Sequence, residues 1–237
     1  MSAASPRPDR HPQDWYVEPT WTVRTLLHET KLDRQYTVWD PCCGLGTVPC
    51  ALAAEGFTTI GTDLVDRWLP TEPPHLFMGE HDFLGDQTHM AEFWPLLSIV
   101  FNPPYSYEDD IAERCVRRAL KLASGKVCAL LPIRWRASEK RYGFLREEFP
   151  PLEILEFCDR PSMPPGTALH ERDPVTGKPT AWRRGKTDYA WYVWDRHIPK
   201  PTTITRLIAP RTPAQKLIDR DFDLRRVGAL PQLEMAA

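Results

Sequence analysis

Apolar residues in this chain gather into short runs set apart by polar or helically spaced stretches. Tyr36–Trp39, Thr58–Thr62, Leu76–Met78, Leu97–Phe101 and Lys126–Leu131 have strand length and strand composition, whereas Pro49–Ala54 and Ile111–Ala123 carry a helical pattern. Runs that are apolar on both faces and separated by helices predict an α/β fold with a mostly parallel sheet. Two later runs, Leu152–Cys158 and Tyr189–Trp194, have no helical pattern between them and are expected to pair antiparallel as a terminal hairpin at one sheet edge.

The stretches between and around these runs set the organisation. Pro6, Pro8 and Pro12 stand among charges, so residues 1–14 are expected to form a flexible tail, with structure beginning near Trp15. Residues 15–210 then form one domain, and 211–237 a charged helix followed by a tail, with Thr203–Ile208 as one more short strand. Arg160–Lys186 holds Pro161, Pro164, Pro165, Pro174 and Pro179 with little apolar periodicity, and reads as a mobile loop insertion over 160–188. A loop of that length inside a compact domain either serves a function or has none and is disordered.

Composition narrows the class. Thirty Lys and Arg against 32 Asp and Glu give a net charge of −2, so any nucleic-acid surface must be local. The six cysteines lack paired spacing and mostly lie in apolar runs, which reads as reduced thiols in a cytoplasmic protein and not as disulfides or metal ligands. The opening residues have no apolar signal core, and no later stretch approaches the roughly 20 apolar residues of a membrane span.

Candidate chemistry sits at the ends of the expected strands. Asp40-Pro41-Cys42-Cys43-Gly44-Leu45-Gly46-Thr47 joins a strand to a helix through small residues that let backbone approach a ligand; the plain alternative is a tight turn. Asp63 ends the next strand, where a carboxylate can accept both ribose hydroxyls of an adenosine group. Asn102-Pro103-Pro104-Tyr105 follows the run Leu97–Phe101. There the Asn102 amide oxygen and the Pro103 carbonyl can accept hydrogens from one planar amino group, the prolines fix the backbone, and Tyr105 offers a ring for stacking. A rigid turn closing a strand is the structural alternative.

In these motifs the sequence resembles the class I S-adenosylmethionine-dependent methyltransferases, and among them the DNA adenine N6 enzymes of small phage and prophage type, over roughly Trp15 to His197. The resemblance implies a Rossmann-like sheet and S-adenosylmethionine as cofactor. It implies cofactor contacts at Tyr16, Pro19, Asp40, Pro41, Cys42, Gly44, Gly46, Thr47, Asp63, Leu64, Asp82, Phe83 and Asn102, and a catalytic motif at Asn102, Pro103, Pro104 and Tyr105. Glu18 departs from the family pattern, in which Thr is commoner before the proline. The implied reaction is methylation of an exocyclic amine in a base flipped out of DNA, with RNA a possible partner; relatives with the same motif methylate RNA bases or protein glutamine.

Residues 111–148 carry ten basic against four acidic residues, and Arg134 and Arg136 follow the expected strand Lys126–Leu131 at its carboxyl end. With Arg183, Arg184 and Lys186 of the long loop, they are the candidate nucleic-acid contacts. A catalytically silent nucleic-acid-binding module with the same fold is the alternative from another class. A nicotinamide-type oxidoreductase is disfavoured, because no Gly-x-Gly-x-x-Gly occurs.

Overall fold

The computed structural model describes residues 15–85, 94–105 and 110–230, so the expected tail over 1–14 and the end of the expected C-terminal tail lie outside the described residues. Eight strands form one sheet: β1 (Thr37–Asp40), β2 (Thr59–Asp63), β3 (Phe77–Glu80), β4 (Leu97–Phe101), β5 (Lys126–Pro132), β6 (Glu153–Phe157), β7 (Tyr189–Asp195) and β8 (Ile204–Ile208). Their order is β3-β2-β1-β4-β5-β7-β6-β8. β3 to β5 are mutually parallel, and β7 runs antiparallel to both β5 and β6. The fold is thus the expected α/β sheet, mostly parallel with an antiparallel hairpin.

One detail corrects the expectation. The hairpin is not at the edge, because β8 pairs in parallel with β6 along its full length, from Glu153 opposite Ile204 to Phe157 opposite Ile208. An unpaired β6 would leave a row of backbone donors and acceptors open, and β8 satisfies them.

Among the described residues four α-helices flank the sheet: α1 (Thr20–Glu29), α2 (Thr47–Ala54), α3 (Ile111–Leu122) and α4 (Pro213–Arg226). The period-2 alternation of strand side chains divides the core into two layers. In β5, Val127, Ala129 and Leu131 face the layer containing α3, while Cys128 and Leu130 face the layer containing α1 and α2. The same alternation puts Tyr192 and Trp194 in the first layer and Tyr189 and Trp191 in the second. These aromatics therefore serve the core and not an exposed stacking surface. Trp191 is fully buried, and its indole N–H donates to the Thr22 carbonyl at 2.9 Å, tying β7 to α1.

A third cluster was not expected. Leu169, Ala181 and Trp182 of the long 160–188 segment are buried with Val17, Leu45, Leu224 and Val227. The segment is therefore not the free loop its Pro and Gly content suggests; it is pinned by single apolar anchors and by backbone hydrogen bonds, Val17 N–H to Pro164 O at 3.0 Å and Gly166 N–H to Trp15 O at 3.1 Å. Gly166 is required by this contact, since a Cβ there would fall 2.1 Å from the Trp15 ring. No helix among the described residues is long and apolar enough to cross a membrane.

Removing a fully buried tryptophan leaves a cavity and loses one buried hydrogen bond. Trp191→Ala is expected to lower unfolding free energy by about 3–5 kcal/mol in urea titration. Trp191→Phe should recover most of that and leave a deficit of about 1 kcal/mol for the lost indole hydrogen bond to Thr22.

Candidate active site

The strand order reverses direction at β1, which lies between β2 and β4, and a cleft opens over the carboxyl ends of these strands, where open α/β sheets hold ligands. It is walled by Trp15–Glu18, the loop after β1, Asp63, Leu64, Arg67, His81–Leu84 and Asn102 with Pro104, a mix of apolar faces and a few convergent polar groups.

The loop after β1 is shaped by backbone as much as by side chains. Asp40 is buried and accepts the Cys42 N–H at 2.9 Å. Gly46 opens α2 in a left-handed conformation at φ +82°, and a Cβ there would sit 2.6 Å from the Trp68 ring, so two constraints demand glycine. Arg226 of α4 reaches back to this loop, donating to Leu45 O at 2.8 Å and Thr47 Oγ1 at 3.1 Å while paired with Glu72.

Asp63 ends β2 almost fully buried. Its Oδ2 accepts the Gly44 N–H at 2.8 Å, and Oδ1 accepts Arg67 Nη1 at 2.9 Å and Val65 N–H at 3.3 Å. Burial raises its pKa, while these donors pull it back down. A carboxylate has about four lone-pair positions, so acceptor capacity toward the cleft remains. After β3, the imidazole of His81 lies edge-to-face with Trp39, at 5.6 Å between centroids, and both its ring nitrogens are buried without a hydrogen-bond partner among the described residues. Burial lowers its pKa, so it faces the cleft as a neutral ring.

At the end of β4, the Asn102 amide is held from two sides. Its Nδ2 donates to Glu18 Oε2 at 2.8 Å and to Tyr16 O at 3.4 Å, and its Oδ1 accepts the Tyr105 hydroxyl. Glu18 is fully buried, and desolvation outweighs its hydrogen bonds to Asn102 and Thr47, raising its pKa to about 7. Tyr105 differs from the expectation of an open stacking ring: it is half-buried, its hydroxyl also donates to Leu130 O at 3.2 Å, and its ring tilts against Tyr189 at 5.8 Å. The hydroxyl finds acceptors inside the protein, and Tyr105 is not among the described residues that line the cleft.

Of the expected cofactor residues, Tyr16, Pro41, Cys42, Gly44, Thr47, Asp63, Leu64, Asp82, Phe83 and Asn102 line the cleft, as does Pro104. Asp40 and Gly46 shape the loop from beneath it, Pro103 is buried, and Pro19 faces a different cavity. Sequence reading missed Trp15, Arg67, His81 and Cys115, and assigned Glu18 no partner. Arg67 had a local signal, lying four residues after Asp63 on the same turn. The thiols of Cys42 and Cys43 are both pushed up, Cys42 chiefly by its hydrogen bond with Cys115 and Cys43 by burial, so neither is a ready thiolate.

The candidate nucleic-acid residues stand apart from the cleft. Arg136 is paired with Glu156 at 2.9 Å, Arg134 is exposed, and Trp135 between them is buried against Tyr192. Arg183 is paired with Asp173 at 3.5 Å and borders, with Arg160, Arg211, Lys216 and Arg220, a second cavity of about 860 Å³. Arg184 and Lys186 are exposed nearby.

No family model matches the chain, and no curated protein does. Solved structures do match it in fold. A modification subunit of a candidate type I restriction enzyme from Vibrio vulnificus YJ016 superposes with a TM-score of 0.54 at 11% identity, over 92% of this chain and 54% of that one. The DrdV–DNA complex matches at a TM-score of 0.55 and 14% identity, over 88% of this chain and 29% of that one. A SAM-dependent methyltransferase from Anabaena variabilis matches at 0.50 and 12%, over 73% and 82%. The chain thus spans about half, and less than a third, of the first two proteins. What it shares with all three is the fold, a Rossmann-like α/β sheet.

Proposed function

We propose that the chain transfers a methyl group from S-adenosylmethionine to an exocyclic amine, and that the amine is N6 of adenine in DNA. The observation that carries this reading is the Asn102 amide, fixed at the carboxyl end of β4 on the wall of the cleft at the strand ends. Its two N–H bonds point to Glu18 and Tyr16, which leaves Oδ1 as the acceptor for an incoming amino group. The Tyr105 hydroxyl takes only one of the two lone pairs on that oxygen.

The lining suits the cofactor. Phe83 and Leu64 offer apolar faces for an adenine ring, and Asp63 and Asp82 offer acceptors. Tyr16, Pro41, Cys42, Gly44 and Thr47 would hold the rest. When bound, the cofactor supplies a methyl group on a positively charged sulfur. The chain's own part is to orient the amine. An aromatic amine is a weak nucleophile because its lone pair is delocalised into the ring, and an acceptor at Asn102 Oδ1 draws density back to nitrogen as charge develops.

A base can reach this cleft only by leaving its stack, at a cost of a few kcal/mol. Arg134, Arg136, Arg183, Arg184 and Lys186 are the proposed phosphate contacts. Arg134, Arg184 and Lys186 are the most available of these, because they are exposed while Arg136 and Arg183 are already paired. Support for DNA comes from the Asn-Pro-Pro-Tyr motif and from the DNA complex and the restriction-enzyme modification subunit among the structural matches.

Three outcomes are expected. Asn102→Ala should lower kcat by about 10²–10³-fold, the scale of losing one preorganised contact to a developing charge, with cofactor binding retained by calorimetry. Mass spectrometry of the product should show N6-methyladenine; 5-methylcytosine or methylated glutamine overturns the assignment. Neutralising Arg183, Arg184 and Lys186 together should weaken DNA binding and flatten the log–log salt slope, by up to about 0.9 per lost phosphate contact.

A further inference from the structure

Glu18 is the least explained group in the cleft. It is 7% exposed, its Oε2 accepts the Asn102 amide at 2.8 Å, and it lies on a segment with no regular structure that Pro164, Gly166 and Trp182 hold across the strand ends. Burying a carboxyl group is unfavourable unless a counter-charge or several donors compensate it. The described structure supplies Glu18 with amide and hydroxyl donors from Asn102 and Thr47 and with the more distant field of Arg226.

The groups facing it from the surrounding elements are mostly acidic or neutral. The β1 end brings Asp40, buried and raised well above the usual carboxylate range by desolvation and by Glu18 itself, together with the neutral thiol of Cys43. The β2 end brings Asp63, already paired with Arg67. From α4 come Arg226, committed to Glu72, Leu45 and Thr47, and Asp223, which caps the start of α1 through Thr20. The site thus gathers more carboxyl groups than the described residues supply uncommitted cations for.

We infer that Glu18 is the charge-reading residue of the cleft: as a carboxylate it holds the positively charged sulfur of S-adenosylmethionine and disfavours the neutral product. This rests on the methyl-transfer reading above. In-line transfer to an amine held at Asn102 requires the sulfonium at the same end of the cleft, and Glu18 is one hydrogen bond from Asn102. S-adenosylhomocysteine keeps the adenosine and the amino-acid ends and loses the sulfur's charge with its methyl group, so the two ligands isolate the interaction.

The expected pH dependence has a definite sign. In the free protein Glu18 titrates at about 7, so below that pH it is protonated and must release a proton to meet a cation. A nearby opposite charge lowers a carboxyl pKa by about one to three units. By linkage, affinity for S-adenosylmethionine therefore rises about tenfold or more between acid and alkaline pH, while affinity for S-adenosylhomocysteine stays flat.

The test is calorimetric titration of the full chain with each ligand from about pH 5.5 to 8.5, a range that brackets the Glu18 titration, in two buffers of different ionisation enthalpy, for wild type and Glu18→Gln. The expected result is proton release near neutral pH with S-adenosylmethionine only, and in Glu18→Gln the loss of that release with a collapsed preference between the ligands. Wild type alone suffices if the variant does not fold: identical pH profiles for the two ligands overturn the inference. Proton release with both ligands places the carboxylate on the amino-acid end and overturns it as well. Release that persists in Glu18→Gln assigns the titration to Asp40, and the inference falls in that case too. If neither ligand binds folded wild type, the methyl-transfer reading itself falls, an outcome distinct from binding without charge discrimination.

Discussion

The cleft depends on holding a strip of irregular backbone, residues 15 to 19, across the carboxyl ends of a parallel sheet. Such a strip has no ladder to satisfy its polar groups, so other segments must supply the partners. The Val17 N–H reaches Pro164 O, the Trp15 carbonyl takes the Gly166 N–H, and the Val17 carbonyl takes the Trp182 indole at 3.3 Å. Beyond it, α1 begins after Pro19, which offers no side-chain cap, and Asp223 of α4 fills that role by accepting Thr20 N–H and Oγ1–H. Without these ties Glu18 has no reason to meet Asn102, and the amide loses its orientation.

The same strip sets an energetic tension. A carboxyl group whose pKa is raised in the native state favours the folded chain while protonated and loses that contribution as pH climbs from its unfolded value toward the folded one. For Glu18, raised from 4.5 to about 7, this amounts to about 3 kcal/mol across that window, lost progressively as pH rises through it. Asp40 adds to the strain in the same direction. Binding sites commonly hold groups that are unfavourable until a ligand completes them.

Most of the sheet was legible in the sequence because its strands are buried on both faces, and continuous apolar runs such as Leu97–Phe101 mark them directly. The loops at Asp40–Thr47 and Asn102–Tyr105 were legible because each ends such a run. What escaped notice was long-range. α1 was missed because its Thr and Val content weakens a helical signal that tertiary burial of Trp21, Val23 and Leu26 overrides. The packing of the 160–188 segment rests on Leu169, Ala181 and Trp182, too widely spaced to form a period. Glu18 and Asn102 are 84 residues apart, and Arg226 and Leu45 are 181 apart, so no local pattern can announce either contact. The partners of the Tyr105 hydroxyl were not legible, because the choice of a tyrosine hydroxyl between water and an interior acceptor is invisible in a four-residue motif.

The clasp of Arg226 on the loop after β1 also bears on how the chain acquires its shape during synthesis. Strands β1 to β5 are contiguous in sequence and can pair as they emerge, whereas the loop that ends β1 waits for an arginine 181 residues downstream of its partner carbonyl. Segments made early are then left with open polar groups until the last helix docks. A ribosome-bound chain stalled before α4 would therefore carry a formed sheet with an unfinished cleft, and competence would arrive late and all at once.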